Sequence, residues 1–112
     1  MALYLTHFSY TPESWEGLIH EPRDRREELR PLFEAAGAKL IEMYFTFGKE
    51  DGVVLSEGDN VSAAAISIAA AASGGMKSVD TQVLLTVDEM IEALHKAAEL
   101  PYRAPAETGV HA

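Results

Sequence analysis

The stretch AKLIEMYFTFGKEDGVVLSE, residues 38–57, decides the fold. Its first half, AKLIEMYFTF (38–47), alternates. Leu40, Glu42, Tyr44 and Thr46 fall on one side, and Ile41, Met43, Phe45 and Phe47 on the other. That period of two predicts a half-buried strand. GVVLSE (52–57) predicts a second short strand, and the turn-forming residues between the two make an antiparallel hairpin. Within that turn Gly48 and Gly52 are expected to supply positive φ angles, and Asp51 to bond its own backbone nearby.

Upstream, ALYLTHFSY (2–10) places Leu3, Leu5 and His7 on one face and Tyr4, Thr6, Phe8 and Tyr10 on the other. Both faces are mostly apolar, as in a central strand covered on both sides. After Thr11-Pro12, Thr11 or Ser14 is expected to cap a short helical turn carrying Trp15, Leu18 and Ile19. In PRDRREELRPLFEAAG, Leu29, Leu32, Phe33 and Ala36 make one helical stripe. Pro22 suits its first turn, Gly37 closes it, and Pro31 inside it predicts a kink or a break.

Downstream, Asp59 is expected to cap a helix over 60–72. Val61, Ala64, Ala65, Ile68 and Ala72 share one of its faces; Ala63, Ile66 and Ala70 form a second. Being apolar nearly all round, that helix is expected to be buried on more than one side. Ser73-Gly74-Gly75 ends it, and MKSVDTQVLLT (76–86) predicts the last strand. Thr86 or Asp88 caps a final helix over 87–99, with Val87, Met90, Ile91, Leu94 and Ala98 on one face and Pro101 as its stop.

The order β-α-β-β-α-β-α is the α+β, ferredoxin-like βαββαβ plan with an extra C-terminal helix and a four-stranded antiparallel sheet. One domain is expected over 1–100, followed by a tail over 101–112 without periodicity. The plan covers one sheet face with helices and leaves the other open. Since both faces are apolar here, a second copy of the sheet is the economical cover, giving a homodimer of dimeric α/β-barrel type or a higher homo-oligomer.

Composition narrows the partners. Eighteen acidic against nine basic residues give a net charge of −9, which repels nucleic acid and anionic membrane surfaces. No apolar run approaches the ~20 residues of a membrane span, and MALYLTH does not have the pattern of a signal peptide. The absence of cysteine excludes disulfides and thiolate chemistry and fits the cytoplasm.

The chemistry-bearing residues are few. His7 stands mid-strand where an aliphatic residue is expected; a desolvated imidazole there serves as a base, with Tyr44 on a neighbouring strand, or is a hydrogen-bonded histidine at a subunit contact. Trp15 and Tyr10 form an aromatic pair that lines a pocket mouth or lids the core. Arg23, Arg25 and Arg26 could clamp a carboxylate, but Glu–Arg spacing reads more simply as a solvated helix face. His7, His20, His95 and His111 lack ligand spacing, so neither a metal nor any other cofactor is expected. SGG (73–75) follows a helix rather than opening one, the wrong order for a phosphate cradle.

The segments YLTHFSYT, RDRREELRPLFEAAGAKLIEMYFTFGKEDGVV and ASGGMKSVDTQVLLTVDEM resemble the GYD domain family of small bacterial proteins over roughly residues 4–97. Gly48 and Asp51 match the feature that names the family, with Glu50 where its tyrosine stands. The resemblance implies a self-associating ferredoxin-like fold and supplies no activity.

Three functions follow as expectations. The first is a homo-oligomeric module that binds a small apolar or aromatic molecule in a pocket under the sheet or at the interface. The second is a cofactor-independent oxygenase or isomerase with His7 as base and Tyr44 or Trp15 positioning a ring. The third is a structural or regulatory protein-interaction module with an acidic surface.

Overall fold

The structure is a computed structural model and describes residues 1–106; His111 and the end of the expected tail lie outside the described residues. Strands β1 (Ala2–Tyr10), β2 (Lys39–Phe45), β3 (Gly52–Gly58) and β4 (Met76–Leu84) form one sheet in the order β2-β3-β1-β4. Every pairing is antiparallel. With helices α1 (Pro12–His20), α2 (Arg25–Ala35), α3 (Asn60–Ala72) and α4 (Val87–Ala97), this is the expected ferredoxin-like α+β plan. β1 is central, as its two apolar faces require.

Helix ends follow their side chains. Thr11, Asp24, Asp59 and Thr86 each accept a hydrogen bond from a first-turn N–H, closing one of the donors that a helix start leaves open. α1 is a full nine-residue helix rather than a short turn. α2 begins at Arg25, so Pro22 precedes it. Pro31 leaves α2 unbroken. The proline costs about 3 kcal/mol, but burying side chains such as Phe33 and Leu29 returns about 1.5–3 kcal/mol each, and both pack into the core. Gly37 ends α2 with φ +82, a left-handed conformation that glycine adopts without strain.

The core sits between the sheet and α1–α3. Phe8, Tyr10, Phe33, Leu40, Met43 and Val54 form its buried centre, with Leu18, Leu29, Ala38, Ile66 and Met76 packed around. Two expected faces are corrected. The register shifts between Leu40 and Glu42, a bulge at Ile41, so Leu40 and Met43 both point into the core although they differ in parity. On α3, Ala63, Ile66 and Ala70 line the space above the sheet, while Val61 and Ile68 are exposed, so the helix is covered on one side only.

The hairpin turn also differs from expectation. Neither Gly48 nor Gly52 has positive φ. Gly52 is needed for space: an added Cβ would strike the Phe8 ring and stand 2.7 Å from the Tyr44 carbonyl oxygen. At Gly48 a Cβ meets nothing within 4 Å. Gly52→Ala should therefore lower unfolding stability by about 1–3 kcal/mol, whereas Gly48→Ala should stay within ~0.5 kcal/mol of the parent, as read by urea denaturation of both.

Candidate functional site

The sheet separates the four expected site residues into two pairs. Even-numbered residues of β1 face the helices, so Tyr10 is buried with Phe8. Trp15, one turn into α1, packs edge-on against Tyr10 with ring centroids 5.1 Å apart. Odd-numbered residues face the other way. His7 lies on that open face, directly opposite Asp80 of β4 and Val53 of β3. Tyr44 pairs with the same Val53 from the far side and is 61% exposed. His7 and Tyr44 thus share a face two strands apart, about 10 Å at normal strand spacing. Trp15 belongs to the opposite side of the sheet and cannot act with His7 within one chain.

Asp51 organises the aromatic side. Its carboxylate Oδ2 accepts from the Tyr10 N–H at 2.8 Å and the Trp15 Nε1–H at 3.2 Å. Its own N–H donates to the Phe8 carbonyl, and its carbonyl accepts from the Thr46 N–H. One residue therefore ties the hairpin to β1 and α1. Sequence reasoning placed Asp51 in its own turn; only the strand order could show that the turn closes over the end of β1. Phe45 completes the cluster at 6.0 Å from Phe8 and 6.3 Å from Trp15, and Trp15, Phe45, Phe47 and Asp51 line an open cleft at its rim.

Beneath this cluster, between the sheet and helices α2 and α3, lies a cavity of about 60 Å³. Its walls are mainly apolar, including Phe8, Phe33, Met43, Val54 and Ile66. Thr81 hydrogen-bonds both Thr6 and Ser67 along one side of it. Tyr10 also lines the cavity, and its hydroxyl is buried with no hydrogen-bond partner. Arg25 is near enough that, although burial disfavours its charge, Tyr10 and Glu28 hold the guanidinium above its usual range. The Arg25 and Tyr10 groups do not meet in hydrogen-bond geometry, and Arg25 offers only donors, so the Tyr10 proton has no acceptor in either case. Buried polar groups of this kind are rare and mark a missing partner or a store of strain.

Arg23, Arg25, Arg26 and Arg30 are paired within the chain. Arg23 and Arg25 pair with Glu28, Arg26 reaches Glu42 on β2, and Arg30 pairs with Glu27. The described residues hold no group of three or more His, Asp or Glu suited to a metal.

The family model for the GYD domain matches residues 4–94. The chain belongs to the GYD domain family. No curated protein matches it. One solved structure, "crystal structure of FFRP-DM1", is similar over 76% of this chain and 100% of its own, at 15% identity and a TM-score of 0.45. No helix among the described residues is long and apolar enough to cross a membrane.

Two outcomes follow for this GYD domain. Asp51→Ala should leave the buried Tyr10 N–H unpaired, lowering stability by about 1–3 kcal/mol and shifting emission of Trp15, the single tryptophan, to the red. The second concerns acid. Glu42 is held below its ordinary 4.5 by the Met43 N–H and Arg26, Glu28 by Arg23 and Arg25, and Asp59 below 3.8 by Ser62. Depressed carboxylates add stability above their ordinary values and lose it as pH falls through the folded ones. The urea midpoint should therefore hold level above pH 4.5 and drop below it, less steeply in Glu42→Gln.

Proposed function

We propose that this GYD domain is a self-associating binding module that holds a small apolar molecule with one acceptor group between its sheet and helices. The observation that carries the reading is that Tyr10, whose buried hydroxyl has no hydrogen-bond partner, lines a cavity with mainly apolar walls. A carbonyl or ether oxygen on the ligand would take its proton, and the apolar walls would take the rest.

Size limits the ligand. The cavity, about 60 Å³, exceeds the ~10–15 Å³ that seats a water but is under half the ~150 Å³ that admits benzene. Short aliphatic ketones fit this description better than the aromatic ligands also considered, which would require α2 or α3 to move.

Self-association is the second part of the proposal. Leu3, Leu5, Val53 and Leu55 stand side by side on the sheet face that no helix covers, and a second copy of the chain is the cover that needs no other component. A structural or regulatory interaction module would use the same face. His7 and Tyr44 lie on it, so any catalysis by His7 would take place between copies. We read residues 1–100 as one unit with a tail beyond it, and the cysteine-free chain as cytoplasmic.

Amide NMR titration tests the pocket. Butanone and xenon should both shift the Val54, Ile66 and Met76 resonances. Tyr10→Phe should weaken butanone about two- to tenfold, the effect of losing one hydrogen bond, and leave xenon unchanged. If neither probe moves those resonances, the pocket reading fails.

A further inference from the structure

We infer that α4 is an exchanged arm: in each copy it leaves its own domain and docks on the open sheet face of a second copy. This rests on the reading that a second copy covers that face, and it names the covering element.

α4 has no place in its own subunit. Two residues separate its start from the end of β4, and a Thr86–Glu89 capping box fixes its first turn. Val87, Met90, Ile91 and Leu94 then form one apolar stripe, exposed by 76%, 45%, 47% and 61%. No other element among the described residues packs substantially against it. A helix of 11 residues is marginal alone in water, so this stripe needs a partner to persist.

The shape of the chain agrees. It extends 66 × 28 × 24 Å, with a radius of gyration of 18.9 Å, against ~13 Å for a compact chain of this length. Its accessible surface is 8069 Å², where a compact monomer of this mass exposes about 6,100 Å². The excess is well above the ~800 Å² that each partner of a standard interface buries, and the exposed stripe of α4 contributes to it.

The sheet supplies a matching surface. Leu3, Leu5, Val53 and Leu55 occupy adjacent positions on β1 and β3, and Leu84 beside Leu3 continues that surface to the root of α4. A helix about 10 Å wide spans two strands, so it covers this strip alone. It leaves Glu57 at its rim, and Asp80 and Gln82 on β4, in water. Two sheets stacked about a two-fold axis would bury those acids against their like, a cost of several kcal/mol for each ion. Charge therefore favours the helix over the second sheet. When the two copies exchange arms reciprocally, each arm and each face is filled and the assembly closes at two.

The cysteine-free chain allows a direct test. A spin label on Glu92→Cys, on the side of α4 away from the stripe, where it leaves docking undisturbed, is carried by unlabelled-isotope chains mixed with ¹⁵N chains that lack the label. The amides of Leu3, Leu5 and Leu55 in the ¹⁵N chains should lose intensity and recover it on reduction of the label. In the full chain, Ile91→Asp with Leu94→Asp should raise the dissociation constant of the dimer at least about tenfold, with the sheet spectrum retained. A dimer whose sheet amides are untouched by the partner's label overturns the arm and leaves self-association standing. A full chain that is monomeric by light scattering, with or without α4 folded onto its own sheet, overturns both.

Discussion

β1 sets the terms for the whole subunit. Its even residues, Tyr4, Phe8 and Tyr10, are sealed under helices, and its odd residues, Leu3, Leu5 and His7, face the side that has none. A strand cannot turn one face inward without presenting the other, because successive side chains alternate. The chain spends α1, α2 and α3 on one face. The apolar character of the other is therefore a permanent feature of the lone subunit, and only an element from outside the three-helix layer can relieve it.

The hairpin is held by a link of a different kind. Asp51 bonds the last residue of β1, the indole of α1 and, through its backbone, both Phe8 and Thr46. Together with the crowding at Gly52, these contacts fix where β2 and β3 meet the aromatic cluster of Phe8, Tyr10, Trp15 and Phe45. Asp51 thus sits at a structural junction of this GYD domain. Its neighbour Glu50 contributes its carbonyl to the same turn by accepting from the Thr46 hydroxyl, a role that any residue's backbone can fill.

Much of this was legible in the sequence because it is local. Strand alternation in β1, the hairpin of β2 and β3, the caps at Asp59 and Thr86 and the stop at Gly37 are written within a few residues of where they act. What was not legible depends on neighbours. The bulge at Ile41 exists because β2 must pair with β3 while Leu40 and Met43 both reach the core, and no period in the sequence encodes that skip. On α3, two apolar faces are equally visible in sequence; the sheet selects the one on which Ser62 donates to Ala36 and Ser67 bonds Thr81. How the candidate site residues group also depends on neighbours. Period two does put His7 and Tyr10 on opposite faces, but the side on which Trp15 and Tyr44 lie follows from the crossover and the bulge.

Edges and faces of the sheet are treated differently, and that difference decides what kind of assembly the chain can make. The edge strand β2 carries the bulge, with Glu42 bonding the Met43 N–H and pairing with Arg26, and Lys39 at its start. The other edge, β4, presents exposed Lys77 and Asp80. Charges and bulges on edges are how sheets resist endless strand addition. A net charge of −9 opposes close approach of two copies as well. Against these, one apolar face and one apolar helix remain bare. On the exchange inferred above, attraction is confined to those two surfaces, and once each arm has met the other copy's face neither copy has a surface left to recruit a third.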